Sequence, residues 1–332
     1  MDKLFKKISK NNFLKELSFR VAYLPLLRGI YRKIYQGRIN KKVNNFKFCD
    51  LMVSIEPSNT CNARCVMCPY SKMTRPKTVM PMELFKKIVD DCHKEGVSNF
   101  NLNFYNEPFL DPFVFDRIKY LKSKEIKVKL FSNGSVVDKE KADKILESGL
   151  DEINFSLDSC DKETYESIRK GLNFETVVKN VSYLFEEKKR RGLLLPKIKA
   201  IFVRQKSNKA EIGHYENFWK NKVDKIVFSF DDNRNETSEF LIGKSKKLAP
   251  FPCKKLWTEI NVMSNGKVAL CCIDSDGKEL LGDFNSQSLR EIWENEKFKE
   301  IRKKHLDYRA NFISLCKLCA HPYRMNVKSW WQ

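Results

Sequence analysis

From Phe48 onward, short apolar runs of strand period alternate with stretches whose apolar residues recur at helical spacing. The pattern predicts strands over 50–56, 99–104, 127–132, 152–157, 197–203 and 225–230, with helices over 82–93, 113–122, 139–147, 174–190 and 209–220. Six such βα alternations imply an α/β domain with a parallel sheet, a barrel or partial barrel with its helices outside. Turn chemistry agrees: Pro57 stops the first strand, Asn133-Gly134 closes the third, and Gly149 ends a helix before the fourth. A linker-like stretch over 233–248 and the prolines Pro250 and Pro252 then mark a boundary. Beyond it, Ser264-Asn265-Gly266 between 257–263 and 267–272 is a hairpin signal. The expected domains are thus 1–47, 48–249 and 250–332.

Charge changes the picture at the N-terminus. The whole chain of 332 residues carries 63 Lys and Arg against 42 Asp and Glu, a net +21. Residues 1–42 hold twelve basic residues against Asp2 and Glu16. There Phe5, Ile8, Phe13, Leu14 and Leu17, then Leu26, Leu27, Ile30, Tyr31 and Ile34, recur at helical spacing on either side of Pro25. This basic amphipathic extension has two readings: peripheral contact with an anionic membrane surface, or helices that bury their stripe on the barrel and keep their lysines solvated. No recognition motif accompanies the charge, so specific nucleic-acid binding is not expected. No stretch approaches a membrane-spanning length, and Met1 to Lys10 lacks the apolar core of a secretory signal. The eleven cysteines are therefore expected to be reduced, in a cytoplasmic protein that under the first reading is peripheral at the inner membrane surface.

Three of them stand at the end of the first predicted strand, as Cys61-x3-Cys65-x2-Cys68. Three thiolates can hold three irons of a [4Fe–4S] cluster and leave the fourth open. A zinc site is the alternative, although no fourth ligand lies within the next twenty residues. The motif and its place resemble the radical S-adenosylmethionine (SAM) superfamily. The resemblance implies a six-unit partial (βα)6 TIM-like barrel. It also implies that SAM chelates the open iron and is reductively cleaved to a 5′-deoxyadenosyl radical, the electron arriving from a donor such as flavodoxin or ferredoxin.

Further positions extend it. Tyr105-Asn106-Glu107-Pro108 resembles the family's glycine-rich motif, whose carbonyls and glutamate hold the SAM ammonium; Asn106 stands where a glycine is usual, and asparagine tolerates positive φ. Ser132-Asn133-Gly134 resembles the strand-ending Thr-Asn-Gly, and Ser156-Leu157-Asp158 the next strand end. By resemblance these place Ser132, Asn133, Ser156 and Asp158 near the ribose and methionine carboxylate. Arg169 matches the position that pairs with that carboxylate, a planar group suited to a guanidinium.

The second cysteine group is Cys253, Cys271, Cys272, Cys316 and Cys319. Neighbours on one strand point to opposite faces, so one of Cys271 and Cys272 is expected to bind, and face polarity does not decide between them. Cys253-x17-Cys271 followed by Cys316-x2-Cys319 resembles the single-cluster twitch form of the SPASM module, a small β-hairpin/α domain. That resemblance selects Cys271 and implies a second, auxiliary [4Fe–4S] cluster on Cys253, Cys271, Cys316 and Cys319; a structural zinc on the same thiols is the alternative. Four protein thiolates leave no open iron, which favours electron transfer. Cys49, Cys92 and Cys160 read as packing residues, and His93, His214, His305 and His321 show no ligand spacing. The expected activity is oxidation of a carbohydrate-type or small polar metabolite, in the manner of a dehydrogenase. A peptide-modifying SPASM maturase is the alternative.

Overall fold

The computed structural model describes residues 25–230 and 252–319. Its contacts divide into two compact units, one of 1–46, 239–257 and 299–332, the other of 47–238 and 258–298.

The larger unit is the α/β domain. Along the chain it runs β1 (Met52–Ile55), α2 (Met82–Lys94), β2 (Asn99–Asn101), α3 (Val114–Lys122), β3 (Lys127–Ser132), α4 (Lys139–Glu147), β4 (Glu152–Ser156), α5 (Lys162–Ile168), α6 (Phe174–Arg190), β5 (Lys197–Arg204), α7 (Ile212–Trp219) and β6 (Lys225–Phe230). The strands lie in the order β6-β5-β4-β3-β2-β1, all parallel. That is the predicted six-unit arrangement. α5 is an addition: it follows Asp161, whose carboxylate accepts from the Thr164 N–H. The stretch predicted over 209–220 begins as a 3-10 turn over Lys209–Glu211 and becomes α-helical only at Ile212.

Beside β1 the sheet continues. β7 (Glu259–Val262) pairs parallel with β1, and β8 (Lys267–Ala269) and β9 (Leu280–Asp283) follow antiparallel. The hairpin signal at Ser264-Asn265-Gly266 therefore closes a ribbon that extends the barrel sheet. Helix α8 (Leu289–Glu294) begins at Ser288 with a reciprocal capping box to Glu291. β8 ends at Ala269, so Cys271 and Cys272 lie in the turn beyond it. The expectation that the two cysteines alternate across a strand is thereby corrected.

Register explains which face carries the core. Residues paired across a parallel sheet share a face, and Ile260, Val53, Phe100 and Val128 form one row, all essentially inaccessible. Leu130, Ile153 and Ile198 form the next. Helices cover this side with apolar stripes such as Phe85, Ile88, Val89 and Cys92 of α2, which gives Cys92 its packing role. The opposite face carries a polar row, Asn261, Ser54, Asn101, Lys129, Glu152 and the exposed Lys197, linked in register across six strands, with Phe131, Ile201 and Val227 on the same face nearer the C-terminal ends. A closed eight-stranded barrel fills that face with branched apolar residues. Here amides and charges line it, and Lys199 forms an ion pair with Glu152, which also accepts from the Asn154 amide.

In the smaller unit, helix α1 (Pro25–Asn44) packs on the 3-10 turn Lys254–Trp257. Tyr35 and Ile39 are buried there, and the Tyr35 hydroxyl donates to the Pro252 carbonyl at 2.9 Å. The side chains of Leu26, Leu27, Ile30, Tyr31 and Ile34 lie outside the described ones. The predicted stripe of Phe5 to Leu17 and the linker over 233–248 lie outside the described residues, as does His321. Helix α9 (Glu296–Leu306) and α10 (Ser314–Leu318) carry the chain to Cys319. Among the described residues no helix is long and apolar enough to cross a membrane.

Candidate active site

The loop of Cys61, Cys65 and Cys68 leaves the C-terminal end of β1, the end at which parallel βα folds assemble their chemistry. Its shape is fixed from several sides. The Thr60 carbonyl accepts from Glu107 N–H at 2.8 Å, and the Cys61 N–H donates to the Tyr70 hydroxyl at 2.8 Å. The turn after α5 straps the middle of the loop: Arg64 N–H donates to Lys170 C=O at 2.8 Å and Val66 N–H to Ile168 C=O at 3.0 Å. That turn is made by Gly171, whose φ of +88° is open to glycine and strained for other residues. Asn62 reaches the β3 end, accepting from the Asn133 amide at 2.9 Å and donating to the Ser135 hydroxyl at 2.8 Å.

Beneath the loop lies a buried carboxylate that the sequence did not single out. Glu56 receives Arg75 bidentately, Nη1 and Nη2 donating at 2.8 and 2.9 Å. It also accepts from the backbone N–H of Tyr105 and of Ser264, each at 3.1 Å. Arg75 Nε continues to the Ser275 carbonyl at 2.6 Å. One ion pair therefore joins the β1 end, the segment after the cysteines, the β2 end and the β7–β8 ribbon.

The β2 end brings Asn106 and Glu107. Asn106 does not adopt positive φ; its side-chain oxygen accepts from the Phe104 N–H at 2.9 Å and makes the turn without a left-handed residue. Glu107 is fully buried and turned toward β3, accepting from Ser132 Oγ at 2.8 Å, Asn133 N–H at 2.7 Å and Phe109 N–H at 3.4 Å. Burial pushes its carboxyl up to about 7, against the opposing pull of those hydrogen bonds. Ser132 and Asn133 thus meet Glu107 directly, and Ser156 closes β4, half-buried.

At the β4 end Asp158 is inaccessible, its Oδ1 accepting from Val203 N–H at 2.8 Å and its Oδ2 paired with Arg169 Nη2 at 2.5 Å. Arg169 Nη1 donates to Cys65 Sγ at 3.4 Å. Burial disfavours the guanidinium charge, but Asp158 and the Cys65 sulfur override it and hold its pKa above the ordinary value. Cys61 goes the other way as a thiol: burial pushes it up to about 12, although the Ala63 N–H donates to its sulfur at 3.5 Å. Iron binding must therefore displace a firmly held proton. A set of soft thiols with N–H donors on two of the sulfurs suits iron–sulfur ligation. Among the described residues no three His, Cys, Asp or Glu side chains close around a single point, as they would for one metal ion. A four-iron cube needs a wider set, one thiolate per corner.

In the smaller unit, Cys316 lies on α10 and Cys319 caps it, with the Cys319 N–H donating to the Cys316 carbonyl at 3.2 Å. Between Cys253 and Cys316 stands His305, fully buried: its Nδ1 accepts from the Cys253 N–H at 3.1 Å and its Nε2 lies 3.4 Å from Cys316 Sγ. Burial pushes its imidazolium down to about 4. Sequence spacing gave no reason to pair this histidine with cysteines 52 residues before and 11 residues after it.

Residues 55–199 match the Radical SAM superfamily, and residues 253–320 match SPASM, an iron–sulfur cluster-binding domain. Among curated proteins, a probable GTP 3′,8-cyclase of Methanococcus maripaludis is 29% identical over 153 residues, 46% of this chain and 48% of that protein. The chain thus spans about half the length of the curated relatives it matches. Among solved structures, Streptococcus suis SuiB bound to precursor peptide SuiA aligns with a TM-score of 0.65 at 15% identity, covering 88% of this chain and 74% of that one. BtrN in complex with AdoMet and 2-DOIA aligns with a TM-score of 0.55 at 17% identity, covering 81% and 92%. At those identities the likeness is one of fold.

Proposed function

Because this chain belongs to the radical SAM superfamily and carries a SPASM iron–sulfur cluster-binding domain, we propose that it oxidises a small polar metabolite of the carbohydrate type at a carbon–hydrogen bond. The radical SAM domain implies a [4Fe–4S] cluster and SAM, and the SPASM domain implies further iron–sulfur ligation. Together, when bound and reduced by a donor such as flavodoxin or ferredoxin, these groups supply a 5′-deoxyadenosyl radical for hydrogen abstraction.

The chain's own residues do the rest. Cys61, Cys65 and Cys68 hold the radical-generating cluster, and Arg169, fixed by Asp158, directs an N–H at Cys65. Glu107, Ser132 and Asn133 fix the β2 and β3 ends in the geometry that receives SAM. Cys253, Cys271, Cys316 and Cys319 hold the auxiliary cluster. Loss of a hydrogen atom to the radical, a proton to water and one electron to that cluster makes a two-electron oxidation of the substrate.

The observation that carries the substrate class is the polar row of the sheet. Asn261, Ser54, Asn101, Lys129 and Glu152 present amides, a hydroxyl and charges on a face that a closed barrel fills with apolar residues, beside Phe131, Ile201 and Val227 further along the same face. Such a lining favours hydroxyl and amino groups over an apolar side chain. The test is anaerobic reconstitution followed by reduction with SAM and deuterated sugars or aminocyclitols. About eight irons per chain, deuterium in 5′-deoxyadenosine and a product two hydrogens lighter are expected. About four irons, or deuterium transfer from a peptide or from GTP with none from the polar metabolites, would overturn the proposal.

A further inference from the structure

His305 has no place in the chemistry above, yet it is the one imidazole among the described residues that is both inaccessible and bonded through each ring nitrogen to a cysteine. Its two contacts determine where its proton sits. Nδ1 faces a backbone N–H, that of Cys253, and a backbone N–H can only donate. Nδ1 is therefore the unprotonated nitrogen, and the ring is neutral, since an imidazolium would turn an N–H against an N–H. The remaining proton is on Nε2, which points at Cys316 Sγ from 3.4 Å.

We propose that His305 is a positioning residue of the auxiliary cluster: it locks the Cys253 backbone through Nδ1 and donates Nε2–H to the Cys316 thiolate, raising the reduction potential of the cluster bound there. The inference rests on the reading of Cys253 and Cys316 as cluster thiolates, and it adds the feature that makes the cluster an acceptor. Reduction adds negative charge to the iron–sulfur core and its thiolates. A donor fixed on one sulfur favours the reduced state, and hydrogen bonds to sulfur are among the determinants of cluster potential. In an inaccessible site the bond is not diluted by competing water. An oxidative reaction needs this direction of tuning, because the electron left after hydrogen abstraction and deprotonation must find an acceptor within the protein.

The surrounding structure holds the ring in place. His305 lies one turn after Arg302, whose Nε donates to the Leu256 carbonyl at 3.1 Å, and its own carbonyl accepts from the Tyr308 N–H at 3.1 Å. The Leu256 N–H in turn donates to the Cys253 carbonyl at 3.2 Å. α9, the Cys253 turn and the start of α10 are thereby fastened around one imidazole. Glutamine can reproduce both contacts, offering an amide oxygen to the Cys253 N–H and an amide N–H to sulfur; leucine can reproduce neither.

The experiment isolates the auxiliary cluster in full-length protein carrying C61A, C65A and C68A, and measures its midpoint potential by electron paramagnetic resonance titration. His305→Leu is expected to keep a four-iron spectrum and to shift the one-electron equilibrium about tenfold toward the oxidised form, a fall of about 59 mV. His305→Gln should recover most of that shift. An unchanged potential in a cluster-bearing His305→Leu protein overturns the inference and leaves the cluster assignment standing. If the triple-cysteine variant holds no cluster at all, the reading of the second cysteine group falls and this inference with it. Should His305→Leu lose its cluster, the unsubstituted histidine decides: pulsed resonance on protein with 15N-labelled histidine should show one weakly coupled nitrogen with an exchangeable proton. A strongly coupled nitrogen, which marks a direct iron ligand, or no coupling at all, overturns it.

Discussion

Replacing Arg75 by methionine is expected to be among the costliest single changes in the larger unit. Glu56 is fully buried and Arg75 nearly so, and the guanidinium fills both carboxylate oxygens. Breaking a buried pair by removing one partner leaves an uncompensated charge, and such changes cost roughly 3–5 kcal/mol. Two backbone donors, from Tyr105 and Ser264, remain on Glu56 and keep the loss within that range. The double variant Glu56→Met, Arg75→Met supplies the internal check. It removes both charges, which by itself is often close to neutral. Here it also orphans two N–H groups, each worth about 1–3 kcal/mol when buried without a partner. The double variant should therefore remain destabilised by about 2–6 kcal/mol and should not return to the parent value. Equilibrium urea unfolding of the iron-free protein, followed by circular dichroism, measures both. A loss below about 1 kcal/mol for Arg75→Met would refute the argument, because the carboxylate would then have found another partner.

Three further outcomes follow from the site and its supports. Glu107 titrates at about 7 in the folded chain against an ordinary 4.5, so its contribution to stability is fully present below about 4.5 and is lost as the pH rises through about 7; Glu107→Gln should flatten that slope, worth up to about 3 kcal/mol, in unfolding curves taken across the range. Gly134 sits at φ +77°, and a Cβ there would meet Phe155, Val177 and Val181 at 3.3 Å, so Gly134→Ala should cost about 2 kcal/mol in the same assay. Arg169→Leu removes the N–H donor from Cys65 and leaves Asp158 without its guanidinium, and is expected to lower the initial rate of 5′-deoxyadenosine formation by about 10- to 100-fold.

Much of the barrel was legible because its periodic segments are long and well capped. β3, β6, α4 and α6 occupy the predicted residues, and α4 and α6 begin at Asp138 and Asn173, whose side chains accept from the third residue on. α5 escaped because seven residues with two buried side chains, Tyr165 and Ile168, are too few to display a period. The cysteine spacings announced the iron–sulfur chemistry, since ligation restricts residue type as well as distance along the chain. What holds the site together did not show in the same way. Glu56 is a lone acid before a proline, Arg75 is one of three bases in a polar stretch with Lys72 and Lys77, and His305 finds Cys253 only through the fold. Contacts between residues far apart in sequence carry no periodic signature, and neither does the choice of β1 as the neighbour of β7.

That last pairing has a bearing on how the protein can be divided. Both edges of β1 are occupied, by β2 on one side and by β7 on the other, with Met52–Ile55 matched residue for residue to Glu259–Val262. Cutting the gene after the sixth strand would look natural from the recurrence of βα units. It would strip four residues of ladder from the strand that launches the cysteine loop and present a bare parallel edge, the kind of surface on which unrelated chains aggregate. The radical-generating half is therefore not a portable module. Fusions, truncations and chimaeras have to carry the ribbon through Asp283 with it, and the recombination points that leave β1 covered lie outside that span.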